Sequence, residues 1–282
     1  MNPIPQLPPG AAQFLARLAA EPILAPSDIA ETWVAAIAGA GSFVVERDDD
    51  APSLEPLGDG IVRLKIHGVM MKRPGAFERM FLGATDTEAL LGAVHEAKTA
   101  GVRGLVLDVD SPGGLVVGGP ELANAIYGLP QKMPVVAWTG RYMASLAYWA
   151  GSQAQVVMAS PSAIVGSIGV IVTIRDFSRM LEAFGVRTEV ITNREAIYKG
   201  MGVFGTSLSD AQRAHIQGSV QDVYADFQSA IARRRTVEAS AMQGQVTYGT
   251  RAVEARLIDQ TGDFASAVAL IKAELARQGR LG

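Results

Sequence analysis

Two hydrophobic patterns alternate along the chain. Over residues 60–67 apolar and polar positions alternate, with Ile61, Leu64 and Ile66 as apolar positions, which predicts a strand. Residues 85–88 have the form of a helix capping box, and apolar residues follow them at helical spacing. The same alternation predicts further strands over residues 104–110, 134–138, 155–159 and 186–191, and further helices over residues 120–127, 144–150, 209–235, 249–255 and 264–278.

Repeated strand–helix alternation predicts an α/β fold with a mainly parallel sheet and helices on its faces. In such sheets the functional groups lie at the carboxyl ends of the strands. Two segments of this chain occupy that position, residues 111–114 and residues 142–148. We therefore expect the chemistry of the protein in these two segments.

The N-terminal region differs in composition from the rest. Six of the 14 prolines lie within the first 26 residues, which predicts an extended arm, and a helix is predicted from residue 27 towards residue 38. A charged, breaker-rich stretch at residues 46–53 then predicts a linker. The expected division is an arm over residues 1–57, a main domain over residues 58–265 and a C-terminal helix over residues 266–282.

Composition excludes several classes of function. Apolar residues make up 49% of the 282 residues, which is enough for a folded core and excludes disorder for the bulk of the chain. The net charge of -3 gives no electrostatic reason to expect a nucleic-acid partner. The chain has no cysteine, and its three histidines lack metal-ligand spacing, so neither a metal nor a cofactor is expected. A signal peptide is not recognisable, and residues 33–45 are too short for a membrane span of roughly 20 residues. We expect a soluble cytoplasmic protein.

Two segments carry candidate chemistry. The adjacent glycines Gly113 and Gly114 follow a strand and could direct free N–H groups at an oxyanion, although an ordinary strand-to-helix turn would also place glycines there. Ser145 lies near a predicted helix N-terminus, where the helix dipole favours developing negative charge. This position suits a nucleophile, and it equally suits a helix cap.

A serine nucleophile needs a base. His67, His95 and His215 are poorly placed for that role. Lys199 lies in an apolar, glycine-rich stretch, where desolvation would favour a neutral amine, although a surface lysine with a buried stem is the alternative. Residues 160–170 are rich in small residues and glycines. Close approach to another backbone or to an extended substrate would explain them, and a hydroxyl in this stretch could orient a lysine amine.

Together these segments resemble the S49 peptidases, the signal-peptide-peptidase A-like serine proteases that include phage and prophage capsid proteases. The resemblance rests on blocks at residues 107–114, 143–150, 159–170, 198–200 with 207–209, and more weakly 244–262, and it spans about residues 58–265. It implies a ClpP/crotonase-like fold, a Ser–Lys dyad and assembly into rings or domes in which neighbouring copies complete each dyad. The implied roles are nucleophile for Ser145, general base for Lys199, lysine-orienting hydroxyl for Ser167, oxyanion donors for Gly114 and Leu146, and substrate binding for Gly113, Gly166, Ile168 and Gly169.

The chain departs from the family pattern in two respects. Ser145 is followed by Leu146 and Ala147 where the family usually has two glycines, which predicts a narrower substrate cleft. A membrane anchor like that of the cellular members is not recognisable, which favours a phage-type enzyme.

The predicted function is therefore a serine endopeptidase that processes phage scaffold or capsid proteins during prohead maturation. The expected partners are a polypeptide substrate and further copies of the chain, in a bacterial cytoplasm or a phage prohead. Three alternatives remain open: a cellular S49 peptidase, a non-catalytic shell component that keeps the fold, and a crotonase-type hydratase with Asp110 or Glu121 as its acidic base.

Overall fold

The computed structural model describes residues 52–280 and, in addition, the backbone strand Ile23–Leu24. The strands are β1 (Ile23–Leu24), β2 (Leu54–Gly58), β3 (Ile61–His67), β4 (Met70–Met71), β5 (Thr85–Asp86), β6 (Gly104–Asp110), β7 (Gly114–Leu115), β8 (Val135–Thr139), β9 (Tyr142–Ala144), β10 (Val156–Ala159), β11 (Ile164–Gly166), β12 (Val246–Tyr248) and β13 (Gln260–Thr261). The helices are α1 (Ala76–Leu82), α2 (Thr87–Thr99), α3 (Gly119–Gly128), α4 (Leu146–Gly151), α5 (Ser178–Ala183), α6 (Asp210–Ala232), α7 (Gly249–Glu254) and α8 (Phe264–Arg277).

The centre of the fold is a sheet with the order β13-β10-β8-β6-β3-β2. Its strands pair in parallel, except that β2 pairs antiparallel with β3. Six of the seven residues of β6 are buried, as a parallel strand covered on both faces requires. This confirms the predicted α/β class with a mainly parallel sheet.

Helices cover both faces of this sheet, and the alternation of side chains along β6 separates the two cores. Leu105 and Leu107 face a large core that includes buried residues of α2, α3, α4 and α6. Val106 faces the opposite way, into a smaller core with Ala267 and Ile271 of α8. The sheet therefore has an apolar layer on each side.

Two small sheets extend the chain beyond the carboxyl ends of the central strands. One has the order β1-β7-β4-β5, and the other has the order β12-β11-β9. A bridge between Ser111, directly after β6, and Met143 of β9 joins the second small sheet to the central one. The two segments that the sequence singled out therefore lie side by side.

Several predicted elements need correction. Asp86, rather than a box that begins at residue 85, caps α2, because its side chain accepts the Glu88 N–H at 2.9 Å. Residues 186–191 form no strand in the described structure, since no strand lies beside them, and all of them except the half-buried Thr188 are exposed. The helix predicted from residue 27 lies outside the described residues. Of the helices in the described part, none combines the length and hydropathy that a membrane span requires.

Both predicted domain boundaries fall within secondary structure. The boundary between residues 57 and 58 lies within β2, which is an edge strand of the central sheet. The boundary between residues 265 and 266 lies within α8, which packs on that sheet. We therefore propose that the α/β unit extends from β2 to the end of α8.

Replacing Phe227 with alanine is expected to lower the free energy of unfolding by about 3–5 kcal/mol, the usual loss for a buried aromatic residue. Phe227 of α6 is fully buried, and its ring stacks on Trp149 of α4 with centroids 4.7 Å apart. Urea denaturation of Phe227→Ala and Phe227→Leu measures the effect. Phe227→Leu keeps most of the apolar volume and should lose clearly less. Equal losses for the two variants would show that the stack on Trp149 matters more than the filled volume.

Candidate active site

Ser145 lies at a sharp turn between a strand and a helix. β9 ends at Ala144 and α4 begins at Leu146, so Ser145 must reverse the chain on its own. It does so with φ 56° and ψ -121°, a conformation that side-chain-bearing residues rarely adopt. Its N–H donates to Gly166 O and its carbonyl accepts the Trp149 N–H, both at 2.8 Å. A strained serine between strand and helix is the geometry of a nucleophile elbow.

The Ser145 hydroxyl is buried and unpaired. The residue is 0% exposed, and its Oγ has no hydrogen-bond partner among the described residues. A buried polar group without a partner carries a desolvation cost of about 1–3 kcal/mol. Such groups are rare in folded proteins, and this one lies at the strained turn.

The glycine turn after β6 lies beside this serine. Ser111 O accepts the Ala144 N–H at 3.2 Å, and Ser111 Oγ accepts the Gly113 N–H at 3.1 Å. Gly114 follows in β7, where a Cβ atom would lie 1.9 Å from Met70 O. A side chain cannot fit there, so Gly114 is required by the close approach of β4. The turn is therefore more constrained than an ordinary strand-to-helix connection.

Ser167 continues the strand beside Ser145. β9 and β11 pair in parallel with Ala144 opposite Gly166, so Ser145 and Ser167 each follow one member of this pair. Ser167 also has a positive φ, 53°, and is buried. Its N–H donates to Gln245 O at 2.8 Å. The fold therefore places Ser145 and Ser167 at the same end of two neighbouring strands.

The small residues around Ser167 contact this chain's own backbone. A Cβ atom on Gly166 would lie 3.0 Å from Gln245 O, and one on Gly169 would lie 3.2 Å from Gly244 Cα. These contacts account for the glycines without a substrate. The Ile168 side chain is fully buried in the large core, which leaves only its backbone to contact a peptide.

Leu146 and Ala147, which are predicted to narrow the substrate cleft, lie in the core of the described structure. Both side chains are fully buried. Leu146 packs against Gly119 of α3, where a Cβ atom would lie 2.3 Å from Leu146 Cδ1. The core therefore accommodates the extra volume. Tyr148 anchors the same helix, because its hydroxyl donates to Leu257 O at 2.8 Å, and burial raises the pKa of this phenol.

Lys199 lies on an exposed part of the surface. No hydrogen bond joins its amine to Ser145 Oγ, since that oxygen has no partner among the described residues. The segment is nevertheless held in place on the first half of α6. The Tyr198 ring stacks on His215 with centroids 4.5 Å apart, and Gln212 Nε2 donates to Ile197 O at 2.9 Å. A single copy of the chain therefore presents Lys199 outward.

The surrounding segment, residues 172–208, is a projecting loop that is closed at its base. The Ser178 and Ser207 hydroxyls and the Ser178 N–H lower the pKa of Asp176 to about 2. The Phe177 and Phe204 rings also meet, with centroids 5.2 Å apart. A groove of about 470 Å³ between the start of this loop and α6 is lined by side chains that include Val170, Ile174, Leu208, Ile216 and Val220.

The projecting loop exposes an unusual amount of apolar surface. Ile191 is 87% exposed and Phe184 is 77% exposed. Other large apolar side chains at least 40% exposed in the same loop are Met180, Val186, Val190, Ile197, Tyr198, Val203 and Phe204. Exposed apolar residues clustered in this way are typical of surfaces that another molecule covers.

The other titratable candidates do not join the site. His67 lies 3.6 Å from Asp108, and His95 is exposed on α2. Asp110 lies 3.6 Å from Arg141, and Glu121 is exposed on α3. Within the described residues, no group of three or more histidine and acidic side chains is arranged to hold a metal ion.

Known proteins with similar sequences include proteases, and solved structures with a similar fold include enoyl-CoA hydratases. A protein of Synechocystis named as a protease is 30% identical over 179 residues, which cover 62% of this chain and 64% of that protein. Capsid assembly protease C of Escherichia phage lambda is 26% identical over 248 residues, 85% of this chain and 56% of the relative. Among solved structures, an enoyl-CoA hydratase from Shewanella pealeana has a TM-score of 0.49 at 12% identity, covering 82% of this chain and 77% of that one.

In both protease relatives the chain spans less than two thirds of the relative's own length. The peptidase family S49 matches residues 129–278, which include Ser145, Ser167 and Lys199. This match covers more than half of the chain, so the protein belongs to peptidase family S49.

Proposed function

We propose that the protein is a serine endopeptidase in which Ser145 is the nucleophile and Lys199 of a neighbouring copy is the general base. The observation that carries this proposal is the Ser145 turn: a strained serine between a strand and a helix, with a buried Oγ that has no partner among the described residues. A nucleophile held in this way lacks only the base that activates it.

The surroundings of Lys199 support a base supplied from a neighbouring copy. Lys199 is exposed in the described structure and can therefore reach a neighbouring copy. Its projecting loop carries the large exposed apolar side chains that an interface would bury. Desolvation in such an interface favours the neutral amine over the ammonium. Assembly would then supply both the proximity and the neutral form that the reaction needs.

The reaction follows from these positions. Ser145 Oγ attacks the scissile carbonyl carbon while the Lys199 amine takes the hydroxyl proton. The Gly114 and Leu146 N–H groups stabilise the oxyanion. The C–N bond then breaks, the proton passes to the leaving amine, and an acyl-enzyme remains on Ser145. Water attacks this ester while Lys199 takes its proton, and the ester C–O bond then breaks as Lys199 returns that proton to Ser145 Oγ, which releases the acid product and regenerates the free serine. Ser167 positions the lysine amine throughout.

The substrate we propose is an extended peptide that adds as a strand beside the site. We propose that the backbones of Gly113, Ile168 and Gly169 contact this strand. Gly166 does not pair with it, because β11 is already paired with β9 on one edge and with β12 on the other. The similarity to the capsid assembly protease of phage lambda, which extends over 85% of this chain, supports scaffold or capsid proteins as the natural substrates. Prohead maturation in a bacterial cytoplasm is the corresponding role.

A fluorophosphonate probe tests the proposal directly. The activated serine should react with the probe, and intact-mass spectrometry should find one phosphonyl group per chain. Mass spectrometry of a digest should then find this group on the peptide that contains Ser145. Protein unfolded in urea before the probe is added is the control and should stay unlabelled, because an ordinary serine is a weak nucleophile. Absence of label on folded, assembled protein would overturn the proposal.

A further inference from the structure

Strand β1 lies along one edge of β7, the strand that contains the candidate oxyanion donor Gly114. β1 pairs antiparallel with β7, with Leu24 opposite Gly114 and Ile23 opposite Leu115. The other edge of β7 is taken by β4, with Met70 opposite Gly114. The pairing with β1 therefore uses the one edge of β7 that the described central unit leaves open.

A peptide substrate needs that same edge. For its scissile carbonyl to accept the Gly114 N–H, an extended peptide must lie along β7 and form backbone hydrogen bonds with it. One strand edge pairs with one chain at a time, so β1 and a substrate exclude each other. Ser145 is 0% exposed in this arrangement, which fits a site that is closed to peptide.

The sequence around β1 suits a displaceable occupant. The segment reads Pro22-Ile23-Leu24-Ala25-Pro26, with two aliphatic residues between prolines. Proline has no N–H to donate to a ladder, so the flanking prolines limit how far the pairing can extend. A two-residue strand contributes few hydrogen bonds, and a longer peptide that pairs with β7 can replace it.

We propose that Ile23–Leu24 is an intramolecular occupant of the substrate-strand position, and that it competes with peptides for the β7 edge. This inference rests on the proposed peptidase function. The arm then sets how much of the enzyme is open to substrate.

The double variant Ile23→Pro/Leu24→Pro tests the pairing, because it removes both N–H groups of β1. The matched control is Ile4→Pro/Leu7→Pro, which adds two prolines to the same arm outside β1. Hydrogen exchange followed by mass spectrometry should show faster exchange for the peptide containing Gly114 and Leu115 in the first variant only. The probe should also label Ser145 faster in that variant.

Peptide hydrolysis gives the second readout. If β1 occupies the edge nine-tenths of the time, the Ile23→Pro/Leu24→Pro variant should have a KM about tenfold lower with kcat unchanged. A synthetic peptide covering residues 20–28 should inhibit this variant competitively, and a scrambled peptide should not. Competition of this kind separates an occupant from a merely structural strand.

The two proposals fail in different ways. If the wild-type enzyme is active, but Ile23→Pro/Leu24→Pro has the same KM and the same exchange at Gly114 and Leu115 as wild type, the proposed occupant is wrong and the proposed peptidase function stands. Faster exchange in the variant, with neither peptide hydrolysis nor probe labelling in the wild-type protein or any variant, would support the pairing at β7 and refute the peptidase function.

Discussion

Replacing Ser145 with alanine is expected to reduce kcat/KM for peptide hydrolysis by about 10⁴-fold or more, the scale seen when a catalytic serine is lost. The variant should fold normally. The Ser145 hydroxyl makes no hydrogen bond with any described residue, so its removal breaks none and also removes a buried polar group. We expect the Tm to be unchanged or raised.

Ser152→Ala is the matched control. Ser152 is a second fully buried serine at the other end of α4, where its Oγ donates to Trp149 O at 2.9 Å. Its loss should lower stability and leave kcat/KM within a few-fold of wild type. Hydrolysis by Ser145→Ala within tenfold of wild type, in protein purified free of host proteases, would assign the nucleophile elsewhere.

Replacing Lys199 with alanine is expected to reduce kcat/KM by a comparable factor, because the serine then has no group to accept its proton. Lys199→Arg should not restore activity, since a guanidinium stays protonated and cannot act as a base. The control is Lys132→Ala, which removes an exposed lysine near the start of β8 and should keep full activity. An active Lys199→Ala enzyme would remove Lys199 from the mechanism.

Mixing the two inactive variants separates a shared dyad from one within a single copy. If each site takes its serine from one copy and its lysine from the next, equal amounts of Ser145→Ala and Lys199→Ala that assemble at random should recover about a quarter of wild-type activity, because half of the sites have the serine and half of those have the lysine. The variants should be co-refolded so that they assemble together. No recovery in co-assembled particles would place both groups in one copy.

The backbone of the α/β unit was predictable from local patterns. β6 matches the predicted strand over residues 104–110, because a strand buried on both faces is rich in apolar residues, here Leu105, Val106, Leu107 and Val109. The long helix α6 was also predictable from local features. Ser209 caps it, with its Oγ accepting the Gln212 N–H while the Gln212 side chain accepts the Ser209 N–H. Such features depend on residues close together in the sequence.

Patterns of that kind were insufficient where pairing with distant residues decides the structure. Residues 186–191 have a strand-like composition, but no neighbouring strand pairs with them, and they remain mostly exposed without regular structure. Conversely, β7 and β9 are two and three residues long, and they exist because β4 and β11 lie beside them. The pairing of β1 with β7 was not foreseen for the same reason, because two aliphatic residues between prolines carry no strand pattern.

The candidate site shows the same division. The chain by itself determined the family, the candidate residues Ser145, Ser167 and Lys199, and the order of strands and helices around them, since these depend on residue identity and short-range spacing. Only the tertiary structure decided that Ser145 is strained, buried and without a hydrogen-bond partner for its Oγ among the described residues, that Leu146 packs into the core, and that Lys199 faces outward. Those properties depend on contacts between segments far apart in the chain, which no local pattern specifies.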